Sequence, residues 1–326
     1  MKIAVTGGGG FVGINLVRQL CERGHEVTAL DRNFAPHVRE LLKDFKCSAC
    51  ETIDVLDMPA LVATLTQRRS DAIFHGATLT ADLARERVAF ADILATNVIG
   101  TVRVLEASRA VGMRRVIIAS SSAVYGDAVF SQSPKETDAA EPVTLYGISK
   151  LAAERAALRF GGIYEMDVAA VRISAVFGPW EHRSGARDVM SPLFQIAEKA
   201  VAGLAVTLPD GGERDWIEAR RVAAVLTEML ERDRLNHRLY NLGAAATWSP
   251  RIFCKELERA LPNFHHLQTA PNSAPDIEYR DDLTRRRFPL DTTRVRAEFG
   301  PDILGVPKLE AAQFASWVSS NKAWFQ

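Results

Sequence analysis

The feature that most limits how this chain can fold is a glycine cluster directly after a short apolar run, residues 3–5. The segment reads TGGGGFVG, with Gly7, Gly10 and Gly13 spaced three residues apart, and a helical pattern begins at Phe11. Glycines at this spacing allow a tight turn and let backbone N–H groups at a helix N-terminus approach a pyrophosphate. No Gly-Lys-Ser/Thr follows, so the segment is not a nucleotide-triphosphate loop. It predicts the dinucleotide-binding turn of an α/β fold.

The first half of the chain alternates short β-rich runs with longer helical patterns. The predicted strands are residues 3–5, 27–30, 72–74, 116–119 and 168–173, and the predicted helices are residues 11–23, 88–110 and 145–160. Strands that alternate with helices imply right-handed βαβ crossovers and a parallel sheet. We therefore expect an α/β fold of the Rossmann type, with a doubly wound parallel sheet.

The second half has a different texture, because prolines and glycines become frequent after about Gly178. We expect a Rossmann domain over residues 1–178 and a small C-terminal α/β substrate lobe over residues 179–326. A late strand at residues 239–243 is expected to return to the sheet. Ser249 followed by Pro250 predicts a helix start, because serine is a favourable N-cap and proline a favourable first helical residue.

An acidic residue closes the second predicted strand and bears on the choice of cofactor. Asp31 lies 18 residues after Gly13. A carboxylate at this position accepts hydrogen bonds from a ribose 2′-hydroxyl and repels a 2′-phosphate. The sequence therefore predicts NAD rather than NADP, with the neighbouring Arg32 offsetting part of the repulsion.

Three residues suited to hydride-transfer chemistry follow in order behind this loop. Ser121 ends an apolar strand, and Tyr146 and Lys150 lie four residues apart at the start of a predicted helix. A phenol is a poor base at neutral pH, and a nearby ammonium favours the phenolate. Tyr146 is the candidate acceptor of a substrate hydroxyl proton, with Lys150 as the cation beside it. Ser121 is the candidate hydrogen-bond donor to the same substrate oxygen.

These motifs make the chain similar to the extended short-chain dehydrogenase/reductase superfamily, in its NAD-dependent epimerase/dehydratase branch. The resemblance covers most of the chain and includes the glycine loop, the Tyr-x-x-x-Lys pair and residues 74–77, 97–101, 120–126, 172–179 and 214–217. It implies a seven-stranded Rossmann domain and NAD as cofactor. It also implies an enzyme that transfers hydride at a secondary alcohol or ketone of a sugar or sugar-derived substrate.

The resemblance further implies roles for individual residues. Asp54 is similar to the family's adenine-contacting Asp, and Lys150 matches the Lys that also binds the nicotinamide ribose. The residues expected at the cofactor are Gly7, Gly10, Phe11, Val12, Gly13, Asp31, Arg32, Asp54, Val55, Ala77, Asn97, Tyr146 and Lys150. The residues expected near the substrate are Thr78, Ser122, Ala175, Arg183, Arg187 and Arg214.

Departures from the family pattern narrow the reaction. The family's 4,6-dehydratases carry Asp-Glu directly after the catalytic Ser or Thr, whereas Ser122 and Ala123 stand here. Elimination of water would lack its proton carriers, so the sequence argues against a dehydratase. Ala175 stands where the family has an Asn that contacts sugar nucleotides, and the family's diphosphate-binding Arg motif is degraded near Arg280.

The loop after residue 178 indicates another kind of substrate contact. Arg183 and Arg187 lie there and are suited to hold a carboxylate or phosphate, while a solvated basic loop is the alternative interpretation. Together with the lost nucleotide contacts, they favour a compact anionic substrate such as a sugar acid or sugar phosphate. Arg214 keeps the family's phosphate-facing position.

Three functions remain open at this point. An epimerase would keep NAD bound and return the hydride to the opposite face of the sugar carbon. A net dehydrogenase would release NADH after acting on a free sugar acid or other small anionic polyol. A non-catalytic NAD-sensing protein would be expected to lack at least one of the three candidate catalytic residues. Ser121, Tyr146 and Lys150 are all present.

Charge and cysteine content exclude other classes. Lys+Arg and Asp+Glu both number 40, so the chain lacks the basic excess of a nucleic-acid binder. The sequence contains no apolar run of about 18 residues, so it predicts no membrane span. Four cysteines, among them the pair Cys47 and Cys50, are too few for a disulfide scaffold, so we expect a cytoplasmic protein without a metal site. Members of the family often form homodimers through helices that correspond here to residues 88–110 and 145–160.

Overall fold

The computed structural model describes residues 1–209, 211–268, 276–279 and 287–326. Its strands are β1 (Lys2–Thr6), β2 (Glu26–Asp31), β3 (Ala49–Thr52), β4 (Ala72–His75), β5 (Arg115–Ser121), β6 (Asp167–Ile173), β7 (Ala175–Phe177), β8 (Val206–Leu208), β9 (Trp216–Glu218), β10 (Leu239–Leu242) and β11 (His266–Gln268). Its α-helices are α1 (Phe11–Glu22), α2 (Pro36–Asp44), α3 (Met58–Arg68), α4 (Leu83–Val88), α5 (Phe90–Leu94), α6 (Gly100–Ala110), α7 (Leu145–Ile163), α8 (Pro192–Val201), α9 (Ala219–Glu231), α10 (Pro250–Ala260), α11 (Thr293–Phe299) and α12 (Pro307–Ser320). A π-helical turn covers Ala95–Ile99, and 3-10 helices cover Ser122–Phe130 and Lys322–Phe325.

Seven strands form one parallel sheet in the order β10-β6-β5-β4-β1-β2-β3, which confirms the predicted Rossmann-type fold. The predicted late strand joins its edge, where Leu239 of β10 lies opposite Ala170 of β6. The strand order reverses between β1 and β4, which are neighbours in the sheet although β2 and β3 separate them in the chain. Ligands of open α/β sheets bind at the carboxyl ends of the strands beside such a reversal.

Helices cover both faces of the sheet, so the central strands are buried on both sides. Ile3 and Val5 of β1 pack in the apolar cluster that α1 and α9 complete. Ala4, between them, belongs to the opposite cluster with residues of α3 and α6. Because consecutive strand residues point to opposite faces, a strand buried on both faces has a continuous apolar sequence. This is why the strands could be recognised as short apolar runs.

A further apolar cluster lies mainly after residue 176 and gathers α8, α10 and α12. Leu193, Phe253 and Phe314 are buried in it, and the rings of Phe253 and Phe314 stack with centroids 4.9 Å apart. Two small parallel sheets, β7–β9 and β8–β11, adjoin this cluster. The predicted start of α10 is confirmed, since Ser249 Oγ accepts a hydrogen bond from Arg251 N at 3.3 Å. The domain boundary at residue 178 stays a prediction.

Two predicted helices differ from the structure in their bounds. The helix expected over residues 88–110 is interrupted, because Ala89 has φ −134° and ψ 33° between α4 and α5 and a π turn precedes α6. The helix predicted over residues 145–160 continues through Gly161 to Ile163. A Cβ on Gly161 would lie 3.0 Å from Cβ of Val168, so this glycine allows close packing of α7 on β6 and does not end the helix.

None of the helices that the structure describes is both long enough and apolar enough to cross a membrane.

Candidate functional site

A cleft of about 1050 Å³ opens at the carboxyl ends of the central strands, beside the reversal in strand order. The predicted site residues that line it are Gly7, Gly10, Phe11, Val12, Gly13, Asp31, Arg32, Asp54, Val55, Ala77, Thr78, Ser121, Ser122, Tyr146, Lys150, Ala175, Arg187 and Arg214. Asn97 and Arg183 do not line it. The cleft has a cofactor half, formed by the glycine loop, the ends of β2 and β4 and the start of α7. Its substrate half is formed by residues drawn from the segments 78–86, 181–192, 214–216, 278–279 and 287–290.

The glycine loop has the shape that a bound pyrophosphate requires. Gly7 has φ +67°, a conformation that side chains disfavour, and its carbonyl oxygen accepts a hydrogen bond from Gly10 N at 2.9 Å. A Cβ on Gly13 would lie 2.0 Å from that same oxygen, so the first turn of α1 can approach the loop only as glycine. Gly10 is the N-cap and offers no side chain to the first helical N–H groups. These donors are available for an anion.

The carboxylate of Asp31 is held at the edge of this loop. Its Oδ2 accepts a hydrogen bond from Gly9 N at 3.1 Å, and its Oδ1 accepts one from Asn33 N at 3.3 Å. Burial raises the pKa of Asp31 above its usual range, against the lowering effect of these backbone donors. A glycine cradle with an acceptor-only carboxylate beside it fits a dinucleotide with a free ribose hydroxyl.

The start of α7 carries the predicted catalytic pair. Thr144 is its N-cap and accepts a hydrogen bond from Gly147 N at 3.1 Å, and Glu86 Oε1 accepts one from Leu145 N at 3.1 Å. A Cβ on Gly147 would lie 2.7 Å from the Ala123 carbonyl oxygen. This close approach places the first turn of α7 against the segment that follows Ser121, so the three predicted catalytic residues line one cleft.

Lys150 lies beneath the cleft and is 3% exposed. Burial lowers the pKa of its ammonium to about 8, and the nearby Glu154 carboxylate acts in the opposite direction. Among the described residues, Lys150 Nζ forms no ion pair within 4.0 Å, because Glu154 pairs directly with Arg172. Ser121 is also buried, and its Oγ accepts a hydrogen bond from Ala123 N at 3.2 Å. Its hydroxyl hydrogen therefore stays available for a substrate oxygen.

A buried hydrogen-bonded histidine connects the cofactor half to α6. His75 Nδ1 lies 2.7 Å from Thr6 Oγ1, and its Nε2 lies 3.0 Å from Thr101 Oγ1. Thr101 donates its own hydroxyl hydrogen to the Asn97 carbonyl, so we assign the ring hydrogen to Nε2. Burial, assisted by the charge of Lys150, lowers the pKa of His75 to about 3. This histidine is a neutral structural element and does not exchange protons near pH 7.

Asn97 does not line the cleft but forms hydrogen bonds with two residues that do. Its Oδ1 accepts hydrogen bonds from Leu79 N at 2.8 Å and Thr78 Oγ1 at 2.9 Å. Its Nδ2 donates to the Leu79 carbonyl at 3.0 Å and to Ser149 Oγ at 2.9 Å. The amide is thus fully used inside the protein, and the expectation that Asn97 contacts the cofactor is corrected to a role in positioning residues 78 and 79.

Sequence reasoning missed a buried ionic network one helical turn beyond Lys150. Glu154 and Arg172 are both fully buried and form two hydrogen bonds, of 2.9 and 2.6 Å. Glu154 Oε2 also accepts a hydrogen bond from Ser120 Oγ at 2.7 Å. The network ties α7 to the ends of β5 and β6. The four-residue spacing of Lys150 and Glu154 is the signal that could have indicated it.

The two arginines expected to hold an anionic substrate differ in position. Arg183 points out of the cleft, with its side chain 63% exposed and its Nη2 2.6 Å from Glu198 Oε2. Arg187 lines the cleft, but its Nη1 lies 3.2 Å from the buried carboxylate of Glu181 and its Nε donates to the Val189 carbonyl. The expected role of Arg183 in substrate binding is therefore corrected, and the charge of Arg187 is largely offset inside the protein.

Two other predicted substrate residues, Ala175 and Arg214, also line the cleft. Ala175 pairs with Trp216 across β7 and β9. Arg214 is 5% exposed, and its Nη1 donates to the Glu213 carbonyl at 2.7 Å. The degraded motif near Arg280 lies outside the described residues.

The cysteines take no part in the site. Cys50 lies in β3, and Cys47 donates to the carbonyl of Ala49 at 3.3 Å. All four cysteines are free thiols. The described part of the chain contains no group of three His, Cys, Asp or Glu side chains arranged to hold a metal ion.

The fold and the cleft define a Rossmann-type dinucleotide-binding protein with a Ser, Tyr and Lys constellation beside the cofactor position. Residues 3–243 match the family described as "NAD dependent epimerase/dehydratase family". Because this match covers well over half of the chain, the protein belongs to the NAD-dependent epimerase/dehydratase family, and its cofactor is NAD.

Individual relatives agree with this assignment. The chain is 29% identical over 310 residues to a UDP-glucose 4-epimerase of Mycolicibacterium smegmatis, which covers 92% of this chain and 93% of that protein. A UDP-glucose 4-epimerase of Thermus thermophilus, solved in complex with NAD, superposes with a TM-score of 0.78 at 23% identity, over 98% of this chain and 99% of that one. A dTDP-glucose 4,6-dehydratase of Bacillus anthracis in complex with NAD gives the same TM-score at 19% identity, over 99% and 98%.

Proposed function

We propose that the protein is a sugar-nucleotide epimerase in which Tyr146 is the proton acceptor and donor. The observation that carries the proposal is that Ser121, Tyr146 and Lys150 line the same cleft as the glycine loop and Asp31. The chemistry that bound NAD would supply is reversible hydride acceptance. Every proton movement that accompanies this chemistry must be handled by side chains of this chain.

Each of the three residues then has a separate task. Tyr146 Oη accepts the proton of the substrate hydroxyl as the carbon is oxidised and gives it back on reduction. The ammonium of Lys150, which forms no ion pair with any described residue, stabilises the phenolate electrostatically. Ser121 Oγ donates a hydrogen bond to the substrate oxygen and holds it against Tyr146.

The residues beside Ser121 support an epimerase over a dehydratase. Ser122 and Ala123 line the cleft at the positions that carry an acid and a base in dehydratases of the resembled family. Neither side chain can protonate a leaving hydroxyl. We therefore propose that the hydride returns to the same carbon and that no water is eliminated.

The substrate half supports a sugar nucleotide over a free sugar acid. Arg183 points away from the cleft, and Glu181 offsets the charge of Arg187. The two arginines on which a compact anionic substrate would depend are thus committed to carboxylates of the protein. Relatives similar along most of the chain are UDP-glucose 4-epimerases. We propose that residues 179–326 form most of the substrate-binding lobe.

The test is to measure bound cofactor and product together. We expect the purified protein to retain NAD and to interconvert UDP-glucose and UDP-galactose without net NADH formation. Stoichiometric NADH would show a dehydrogenase, and a 4-keto-6-deoxy sugar would show a dehydratase. Turnover of free sugar acids but of no sugar nucleotide would contradict the proposed substrate class.

We further propose a homodimer in the cytoplasm. Ile99 on the π turn and Ile148 on α7 are 48% and 47% exposed on adjacent helices, and the free thiols agree with a reducing compartment. Light scattering should give twice the monomer mass for the wild type and the monomer mass for Ile99→Glu combined with Ile148→Glu. Ile163→Glu, at the far end of α7 and 53% exposed, is the matched control and should stay dimeric.

A further inference from the structure

The wall of the substrate half consists of two segments that are distant in sequence. One follows β4 and contributes Thr80, Asp82 and Ala84 to the cleft. The other joins β7 to α8 and contributes Ala186 and Arg187. Neither segment is part of the seven-stranded sheet, so contacts between the two segments contribute to holding them in position.

Backbone hydrogen bonds join the two segments. Thr80 N donates to the Ala186 carbonyl at 2.8 Å, and Asp188 N donates to the Thr80 carbonyl at 3.4 Å. Thr80 and Arg187 consequently form an isolated parallel β-bridge. A single β-bridge has few hydrogen bonds and is only marginally stable, so side-chain interactions are needed to maintain it.

An ion pair reinforces this bridge. Arg85 Nη2 lies 2.6 Å from Asp188 Oδ1, and Arg85 Nη1 donates to the Gly185 carbonyl at 3.0 Å. The second oxygen of Asp188 accepts a hydrogen bond from Asp82 N at 3.0 Å. The side chains of Arg85 and Asp188 are 28% and 15% exposed, so water screens the pair less than an ordinary surface pair.

A separate anchor joins the two ends of the same loop. Glu181 is 1% exposed and accepts hydrogen bonds from Ser191 N at 2.8 Å and from Arg187 Nη1 at 3.2 Å. Arg187 therefore stands between Glu181 on one side and the bridge to Thr80 on the other. Glu181 thus ties the start of the loop to its end, and the pair of Arg85 and Asp188, with the bridge at Thr80, holds the loop against the segment after β4.

We propose that the ion pair of Arg85 and Asp188 is a specificity determinant. It holds residues 78–88 against residues 185–188 and thereby closes the substrate half of the cleft on that side. The width left for the sugar is set by this closure, so a bulkier sugar is excluded while the pair is intact. The inference rests on the proposed function only in taking a sugar nucleotide as the ligand.

The experiment is a double-mutant cycle in the full-length, NAD-loaded protein. Asp188→Asn removes the charge but keeps an acceptor for Asp82 N, and Arg85→Gln removes the other charge. Hydrogen exchange of peptides covering residues 78–88 and 183–190 should become about tenfold faster in either variant, which corresponds to 1.4 kcal/mol. The double variant should exchange no faster than the single ones, since both remove the same interaction. Arg259→Gln, which breaks the pair of the exposed Arg259 with Glu256 on α10, is the matched control and should change neither peptide.

Substrate discrimination is measured on the same variants. The ratio of kcat/KM for UDP-glucose to that for UDP-N-acetylglucosamine should fall in both single variants and stay unchanged in Arg259→Gln. Unchanged exchange in Asp188→Asn would overturn the closure. Faster exchange with an unchanged ratio would overturn the role in specificity. If the wild type binds no sugar nucleotide, the proposed function and the specificity role both fail, while hydrogen exchange still decides whether the pair holds the two segments together.

Discussion

The cofactor half and the substrate half of the cleft treat their charged side chains in opposite ways. In the described chain, Asp31 and Lys150 form no ion pair within 4.0 Å, so their charges face the cleft. In the substrate half, the carboxylate of Glu181 lies 3.2 Å from Arg187. Acidic and basic side chains thus stay unpaired with each other in one region of the described chain and hold the wall together in the other. A charge in a cleft indicates ligand binding only after its partners within the protein are known.

Removing the proton acceptor of the cofactor half should have the largest effect. Tyr146→Phe keeps the ring but removes Oη, so kcat should fall by roughly 10²–10⁴-fold, the usual contribution of general acid–base catalysis. NAD affinity, measured by calorimetry, should stay nearly unchanged. Tyr164→Phe is the control, because this ring packs against Arg109 and Phe160 at the far end of α7. A variant Tyr146→Phe with wild-type kcat would refute the catalytic assignment.

Closing the space in the glycine loop should weaken NAD binding while leaving the substrate half intact. The Cβ of Gly13→Ala would lie 2.0 Å from the Gly7 carbonyl oxygen, and relieving such an overlap costs about 1–3 kcal/mol. We expect NAD affinity to fall by roughly ten- to hundredfold. Gly162→Ala is the matched control, since its Cβ would meet nothing within 4 Å. Equal NAD affinity in both variants would contradict the loop's role.

One titratable group in each half should change the free energy of unfolding with pH, and the two groups should act in opposite directions. The folded-state pKa of His75 is lowered to about 3 from 6.5, so the unfolded chain binds the extra proton and stability falls as pH drops below 6.5. The pKa of Asp215, in the substrate half, is raised to about 6 by burial, so this group stabilises the fold as pH falls from 6 towards 3.8.

Denaturant unfolding between pH 6.5 and 4.5 separates these contributions. His75→Gln should reduce the loss of unfolding free energy with falling pH by about 1.4 kcal/mol per pH unit. Asp215→Asn should make that loss steeper. Identical slopes in His75→Gln and the wild type would show that the histidine is not held neutral by the fold.

The carboxylate of the cofactor half should select the cofactor. We expect NAD to bind more tightly than NADP, because Asp31 repels a 2′-phosphate. Asp31→Ala should narrow the difference in affinity by about tenfold, or 1.4 kcal/mol. Titration of both cofactors by calorimetry measures this. Equal binding of NAD and NADP by the wild type would mean that Arg32 outweighs Asp31.

The substrate-half arginines should give the smallest effects. Arg183→Ala removes an exposed pair with Glu198, and such pairs contribute about 0–1 kcal/mol, so we expect no change in KM for the sugar nucleotide. Arg187→Ala should raise KM a few-fold, by leaving Glu181 without its cation and loosening the wall. Steady-state kinetics of the two variants decides this. A tenfold or larger rise in KM for Arg183→Ala would restore it as a substrate contact.

The cofactor half could be predicted because each of its signals is short and local. The glycine spacing, Asp31 at the end of β2 and the four-residue spacing of Tyr146 and Lys150 are dictated by one turn, one strand and one helix. The interruption of the helix near Asn97 could not be predicted, because it depends on a tertiary contact. The π turn places the Asn97 amide where it can form hydrogen bonds with residues 78 and 79. The helix end predicted at residue 160 is wrong for a similar reason, because the contact of Gly161 with Val168 exists only once α7 lies on β6.

The sequence by itself determined the parallel α/β fold and the dinucleotide loop, and it placed the motifs that follow the central strands in order along the chain. These features depend on periodicity and on glycine positions within a few residues. Only the tertiary structure decided which charges face the cleft. Arg187 and Glu181 are six residues apart, but Arg85 and Asp188 are separated by more than a hundred. Whether an arginine meets a carboxylate of its own chain or a ligand depends on where two distant loops lie. That is set by the packing of the whole fold and has no local signature.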